Sequence, residues 1–464
     1  MKTYQDLLAI GENEKERMEF VLKVIREHQE SEEYRTAMDA VEYEKQKNVS
    51  IANYRKILHR LNGAAVIDPF AANHKCASNF FNRFVTQLAS FLLGNGVTFE
   101  EEGTKDRLGA DFDTVLYKAG KKALVQGCSY GYYGDDRVQI FGVTEFAPLW
   151  DEEDGALKAG VRFWSLGKGK PLRATLYEMD GLTELIRREG EDMTYYGATK
   201  KRPYRYTVAQ SRAEGARIVA WSNYPSFPIV PFWGNLKHES ELVGMRENID
   251  CYDLIKSGFA NDLDEAAYIY WVLENAGGMD DQDLAQFVER LKTLHAATVD
   301  GDSGVKASAH TVDVPYEGRE HYLTRLENDL YNDFMALNVA QIAGGQVTAT
   351  QIMAAYEPLN NKADEFEFCT IDFIRGLLEV VGIEDYPRFS RSMIVNQTEA
   401  TNMILAAAAY LDDETILKKL PFLTEEEREE VIDKRIAEES ARFASGGSDG
   451  GEDDAGQGED AEEE

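Results

Sequence analysis

The feature that most limits what this chain can fold into is a pair of long amphipathic stretches with a short, different segment between them. In Glu239–Leu263, the residues Leu242, Met245, Ile249 and Tyr252 share one stripe, continued by Ile255 and Phe259. In Glu317–Leu337, the stripe is Leu323, Leu326, Leu330, Phe334 and Leu337, with Glu320, Glu327, Asp329 and Asp333 elsewhere. This spacing is that of one helix face, and at 1.5 Å per residue each helix would run roughly 30–40 Å. Between them the pattern predicts a small α/β insert. It has a strand over Tyr268–Leu273, a helix over Gln282–Leu294 and two strands around Ala296–Val299 and His310–Val314. Two helices that leave a body, carry a small module and return make a stalk, which enzymes seldom build.

Upstream, residues 1 to about 60 read as helix, with Leu7, Leu8, Met18, Leu22 and Ile25 at helical spacing. Asn73–Leu93 reads as a strong amphipathic helix on Phe81, Phe84, Leu88 and Phe91, stopped by Gly94-Asn95-Gly96. A short strand at Val97–Glu100 and a helix at Phe112–Gln126 follow. From about Val138 to Phe232 the period changes to two, and glycine turns separate short segments, which predicts an antiparallel β-rich domain. After the second long helix, Gln341-Ile342-Ala343-Gly344-Gly345-Gln346 breaks the pattern. Thr350–Val381 then continues as a long helix with a kink at Pro358. The last helices are Thr398–Tyr410 and Thr424–Phe443, and beyond Ala444 the Gly/Asp/Glu-rich tail reads as disordered.

Composition matters mainly for what it excludes. The formal net charge is −33, and Ser445–Glu464 contains acids and no base. Affinity for nucleic acid comes largely from Lys and Arg displacing counterions, so a chain this acidic should not grip phosphates, though it could surround DNA without sticking. The four cysteines (Cys76, Cys128, Cys251, Cys369) form no C-x-x-C pair, which argues against a zinc site or a disulfide framework. No stretch approaches the apolar length of a membrane span, and Met1–Phe20 has no signal-peptide core.

The chain offers no motif for chemistry. It has no Walker-type phosphate loop, no H-E-x-x-H and no G-x-S-x-G. Gly167-Lys168-Gly169-Lys170 reads as a hairpin turn, and the seven histidines are dispersed. Cys128 reads as a buried structural thiol, and Tyr130, Tyr132 and Tyr133 as core or interface aromatics, since Asp135 and Asp136 would repel phosphate. Asp262/Asp264 and Asp280/Asp281 are pairs that an acid-rich chain forms by chance. No catalytic residue, metal ligand or cofactor is assigned. An acidic metal-dependent hydrolase acting on nucleic acid would need Asp, Glu and His clustered at ligand spacing, which is absent. An unrelated cytosolic scaffold protein is the other alternative.

Several phrases together resemble the portal proteins of long-tailed phages with Gram-positive hosts. They are Asn73–Val97 (NHKCASNFFNRFVTQLASFLLGNGV), Ala123–Gly131 (ALVQGCSYG), Pro228–Asn235 (PIVPFWGN) and, most specific, Asn248–Asp264 (NIDCYDLIKSGFANDLD). The last resembles the family's I-D-x-Y-(N/D)-x-x-x-S-x-x-x-N-D-L stem helix. The resemblance implies an α+β, mainly helical portal fold with long stem helices, a β-rich wing, a small α/β clip and a helical crown. In this chain they would be a wing at 1–238, stem helices at 239–264 and 317–337, and a clip at 265–316. A tunnel loop and long kinked helix would occupy 338–384, a crown 385–443 and a disordered acidic tail 444–464. It further implies a homo-oligomeric ring, usually of twelve subunits, at one capsid vertex of the virion, assembled in the host bacterial cytoplasm.

On that resemblance double-stranded DNA would pass through the channel during filling and ejection of the head. The partners would be the terminase large subunit, a head-completion or adaptor protein, and the capsid and scaffolding proteins, with no membrane. The tunnel loop facing DNA would include Gln341, Ala343, Gly344, Gly345 and Gln346. Stem-helix packing would rest on Ile249, Tyr252, Leu323, Leu326 and Leu330. The chain departs from the family pattern in an uncharged loop and in Thr348-Ala349-Thr350, where the family shows S-G-x-A.

Overall fold

The computed structural model describes residues 2–391 apart from 12, 56, 60–64, 68–72, 168–169, 188–194, 198–199, 212–214, 267–269, 275–281, 283–284, 287–288, 290–305, 311–315 and 344–347; beyond 391 it describes residues 404, 406, 415–417, 431–432 and 434. Four helices open the chain: α1 (Tyr4–Ile10), α2 (Glu14–Glu30), α3 (Glu32–Glu44) and α4 (Val49–Asn53). Each of the first three starts at a side chain that accepts a backbone N–H: Thr3 in a full capping box, Asn13 and Ser31. The helical reading to residue 60 is too long. Ile57–His59 is strand β1, paired antiparallel with β2 (Ala65–Ile67), so a cross-strand partner takes the hydrogen bonds a fifth turn would have made.

The next correction lies at Asn73–Leu93. Helix α5 covers Phe80–Leu93 alone, and residues 73–79 take no regular secondary structure. β3 (Val97–Thr98), α6 (Thr104–Leu108) and α7 (Phe112–Gln126) follow. Strand structure then begins at Cys128, ten residues before period two becomes visible. β4 (Cys128–Gly134) is buried on both faces, so it shows no alternation. Gly127, at φ +85° between α7 and β4, makes the reversal; a Cβ there would press on the backbone of Glu239 and Ser240 at 3.0 Å.

The β-rich region comprises β5 (Arg137–Gly142), β6 (Phe146–Trp150), β7 (Leu157–Trp164), β8 (Leu172–Glu178), β9 (Gly181–Arg187), β10 (Tyr195–Gly197), β11 (Arg205–Ser211), β12 (Gly215–Ser222) and β13 (Ile229–Trp233). β10-β9-β8-β7-β6 form one antiparallel meander, β13-β4-β5 a second sheet and β11-β12 a hairpin. Gly167 and Lys170 lie in the turn joining β7 and β8. One face of the meander is covered by α1 and α2. Leu7, Phe20, Val21, Val24 and Ile25 are buried with Leu149, Val161, Phe163 and Leu176, and removing such side chains from water is the main stabilising term.

Helix α8 spans Arg246–Ala266, seven residues shorter at its start than the apolar stripe predicts. Residues 239–245 are turns because their polar groups find acceptors and donors elsewhere. The Glu241 N–H donates to Leu124 O (3.0 Å), Ser240 Oγ donates to Val125 O (2.6 Å), and Gly244 stands at φ +83°. Leu242 and Met245 are nonetheless buried. β14 (Tyr270–Glu274) pairs antiparallel with β15 (Lys306–His310), so the returning strand lies earlier than His310–Val314. Residues 282, 285, 286 and 289 are helical, and 296–299 and 311–314 lie outside the described residues.

Helix α9 covers Tyr316–Phe334 and ends where Met335 takes a left-handed φ of +62°. The Ala336 N–H then returns to Tyr331 O at 2.9 Å. α10 (Val339–Ala343) places Gln341 and Ala343 in a short helix rather than a loop, while Gly344, Gly345 and Gln346 lie outside the described residues. α11 runs over Ala349–Val381 with Pro358 inside it, and β16 (Arg388–Phe389) pairs with β3. Thr348 is the N-cap of α11: its Oγ accepts from the Gln351 N–H (3.3 Å), and Gln351 Oε1 accepts from the Thr348 N–H (3.1 Å). The expected helices at 398–410 and 424–443 are described only at 404, 406, 431, 432 and 434, all helical, and the acidic tail from 445 lies outside.

The chain divides into two compact units. The first is Met1–Asn338 with Pro358–Ser392, and the second is Val339–Glu357 with Met393–Glu464.

Candidate functional site

The long helices α8 and α9 pack against each other and run antiparallel, as their cross-links show. Asn248 Nδ2 donates to Asp333 Oδ2 (3.1 Å) near one end of the pair, and Arg319 is paired with Asp262 near the other. The foot of the pair rests on α5. Phe84 stacks on Phe334 (centroids 5.1 Å) and meets Tyr331 edge-on (5.0 Å), while Phe80 meets Tyr252 at 90° (5.0 Å). Lys362 of α11 lies 4.3 Å from the Phe334 ring centre and pairs with the partly buried Glu241 at 2.6 Å. Of the five residues expected at this packing, Ile249, Leu323, Leu326 and Leu330 are buried and Tyr252 is half-buried.

The phrase Asn248–Asp264 acquires a physical meaning here. Asp253, Ser257 and Asn261 repeat every four residues, so they lie on one line of the helix, about 6 Å apart. Along that line runs the segment 73–79. The Ser78 N–H donates to Asp253 Oδ1 (2.8 Å), the Cys76 N–H to Ser257 Oγ (2.9 Å) and the His74 N–H to Asn261 Oδ1 (2.7 Å). Alternate N–H groups of an extended chain recur at about 6.6 Å, close enough to the helical repeat for three successive bonds. Three side chains of α8 thus act as a sheet edge for a strap that has no strand partner among the described residues. The apolar pattern of Asn73–Leu93 could not reveal this, because the competing acceptors are far away in sequence.

Asp250 of the phrase, and Arg246 just before it, also face the body. Tyr43 donates to Asp250 Oδ1, Ser50 Oγ to Asp250 Oδ2 (2.6 Å), and Arg246 holds Asp39 at 2.8 Å. Burial, and then the Asp250 carboxylate, push the Tyr43 hydroxyl up to about 12, so it stays a donor throughout the neutral range. Asp253 is fully buried and accepts from Asn48 Nδ2 as well as from Ser78. Burial raises its carboxyl above the ordinary carboxylate range, and those two donors pull it back only in part. Leu263 is exposed, as are Leu254 and Tyr322 on the same helix pair.

The geometry offers little for catalysis. Two clefts of about 420 and 400 Å³ open on the surface. The first is lined by Lys118, Lys121, Lys122 and Glu44 beside Val138 and Ile140, the second by Asp106, Arg107, Asp136 and Arg205 beside Tyr133 and Tyr224. Neither is lined by a cysteine or a histidine. Among the described residues no three His, Cys, Asp or Glu side chains gather as metal ligands. Cys128 and Tyr130 are buried, and Tyr133 donates to Arg107 O (2.8 Å), which places the aromatic run in the core of its sheet. No helix among the described residues is long and apolar enough to cross a membrane.

A long antiparallel helix pair is thus footed on a mixed α/β body and leads at its far end to the paired strands β14 and β15. The family described as "Phage portal protein, SPP1 Gp6-like" matches residues 23–443, and the chain belongs to that family. It is similar to the portal protein of Clostridium phage phiCD119, with 29% identity over 78% of this chain and 84% of that protein. It is also similar to the portal protein of Bacillus phage SPP1, with 24% identity over 85% of this chain and 82% of that protein. The family is one of structural virion proteins, not of enzymes.

Proposed function

We propose that copies of this chain close into a ring, of about twelve subunits by analogy with the family, at one capsid vertex, and that the ring conducts double-stranded DNA into and out of the head. In this reading residues 1–238 form the wing, 239–264 and 317–337 the stem helices built on α8 and α9, 265–316 the clip and 385–443 the crown. The clip docks the terminase large subunit during filling and a head-completion or adaptor protein afterwards. Capsid and scaffolding proteins meet the outer face.

The observation that carries the reading is the α8–α9 pair, held at its foot by α5 and α11 and joined at its far end through β14–β15. A stalk of this kind can be arrayed around an axis, and Leu254, Leu263 and Tyr322 leave apolar surface on it for neighbouring copies. Ring closure requires such heterologous contacts. The carboxylates that outnumber bases on both helices favour a lining that repels phosphate and lets DNA slide. Gln341, Ala343, Gly344, Gly345 and Gln346 would face the DNA without charge, through steric contact alone.

Negative-stain electron microscopy of the purified chain tests the proposal. Rings with an axial hole support it. Compact particles without a hole, across a range of salt and protein concentrations, overturn it.

A further inference from the structure

Residues 200–217 reverse the charge of the chain around them. In a protein of net charge −33 they hold six bases, Lys200, Lys201, Arg202, Arg205, Arg212 and Arg217, and one acid, Glu214. The run leads into β11 and continues into β12, strands that pair with each other and with no other strand among the described residues. Their seven register pairs make an antiparallel ribbon about 23 Å long.

The root of the ribbon is tied down and electrically balanced. Asn223 Oδ1 accepts from the Tyr204 N–H (3.0 Å), Asn223 Nδ2 donates to Asp180 O (3.0 Å), and Leu182 and Arg202 exchange backbone hydrogen bonds at 2.8 and 3.0 Å. Lys201 pairs with Glu178 (3.2 Å) and with Asp180, and Arg202 with Glu184 (2.9 Å). Lys200 and Arg205 are exposed and make no ion pair among the described residues. The Arg205 guanidinium lies 5.4 Å over the ring of the buried Tyr224. In the sequence, Arg212 directly follows β11, and Arg217 stands opposite Ala209 in the register.

The ribbon also presents aromatic surface. Tyr206 and Trp221 are cross-strand partners with ring centroids 5.8 Å apart, yet they are 54% and 49% exposed. Salt screens charge beyond about 10 Å at 0.1 M, so acids elsewhere in the chain do not cancel the field of this element. Bases drawn out from the root to the far end of a ribbon fit a ligand whose charge is drawn out as well. Duplex DNA carries one negative charge per about 1.7 Å, and its major groove, about 12 Å wide, admits a two-stranded β-ribbon.

We infer that the β11–β12 ribbon binds duplex DNA, its bases on the phosphates and the Tyr206–Trp221 pair in a groove. Phosphate contacts carry no sequence information, so the hold is on any duplex. It gives the chain a DNA contact separate from the acidic helix pair α8–α9. The inference does not rest on ring closure, since binding by the chain is measured whether or not rings form.

The test uses the full chain and a fluorescein-labelled duplex of about 30 base pairs and arbitrary sequence, with its single strand as comparison, read by fluorescence anisotropy. Binding is expected near 1 µM at about 50 mM NaCl, weakening on the order of 100-fold by about 200 mM as roughly four phosphates are neutralised. Replacing Lys200, Arg212 and Arg217 together by Gln should weaken binding at least tenfold and lower the salt slope by about two to three. Tyr206→Ala with Trp221→Ala should weaken it at an unchanged slope. Melting temperatures check that the variants fold, and the exposed Lys200→Gln alone should lower the slope by about one. No binding up to about 100 µM at the lower salt overturns the inference in favour of an acidic protein surface as the partner. Equal binding by the triple variant and the wild type overturns the ribbon as the site, and tighter binding of the single strand overturns the duplex assignment.

Discussion

The side chain of Gln87 and the backbone of Leu337 exchange two hydrogen bonds, Gln87 Nε2 donating to Leu337 O and the Leu337 N–H donating to Gln87 Oε1, each at 3.0 Å. The amide thereby does for a single residue what a neighbouring strand does for a ladder. It fixes the chain where it leaves α9, two residues after the left-handed turn at Met335. Gln87→Glu keeps the acceptor and places a carboxylate oxygen against the Leu337 carbonyl. Loss of about 1–3 kcal/mol is expected, read by urea unfolding. An unchanged midpoint would show that this tie carries no stability.

The strap makes a second prediction. Ser257→Ala leaves the Cys76 N–H without its acceptor, in the middle of the Asp253–Ser257–Asn261 line. The expected loss is again about 1–3 kcal/mol. The half-buried Cys76 thiol should also react faster with a soluble disulfide reagent, because the strap opens from its centre. Wild-type reactivity in the variant would mean that the strap is held at its two ends alone.

His28 predicts a pH dependence. Its Nε2 lies 2.7 Å from Val143 O, its Nδ1 is buried without a partner, and burial holds its pKa below the ordinary 6.5. The folded state therefore binds this proton less tightly than the unfolded chain. The stability it contributes is complete above about pH 6.5 and is lost as pH falls below that value, by at most about 1.4 kcal/mol per pH unit. Urea midpoints compared between pH 8 and pH 5.5 should fall for the wild type and fall less for His28→Gln. Parallel curves would assign the slope to other groups.

Gly131 tests how closely α11 approaches the second sheet. A Cβ there would lie 2.6 Å from Phe373 Cζ, and Phe373 is itself buried and stacked on Phe232 at 4.6 Å, so its ring has nowhere to go. Gly131→Ala should destabilise by about 1–3 kcal/mol, and Phe373→Leu in the same chain should restore part of that loss. A double variant as unstable as the sum of the two singles would show that the two positions do not compete for space.

Where an element is decided by its own residues, the sequence could be read directly. The stripe Leu323, Leu326, Leu330 and Phe334 marks α9, and Phe112–Gln126 and the long helix to Val381 fall within a residue of their expected bounds. The phrase Asn248–Asp264 pointed to the family without saying what its residues do. Their work depended on partners remote in sequence. Asp253, Ser257 and Asn261 draw residues 73–79 out of the helix that their apolar spacing favours, and Leu124 and Val125 hold 240–241 in turns. β4 stayed hidden for a related reason, since burial on both faces erases the alternation that marks a strand. Local periodicity thus set which segments could be helices, while buried donors and acceptors, satisfied only across the tertiary structure, decided where those helices begin and what the polar residues of the helix pair are for.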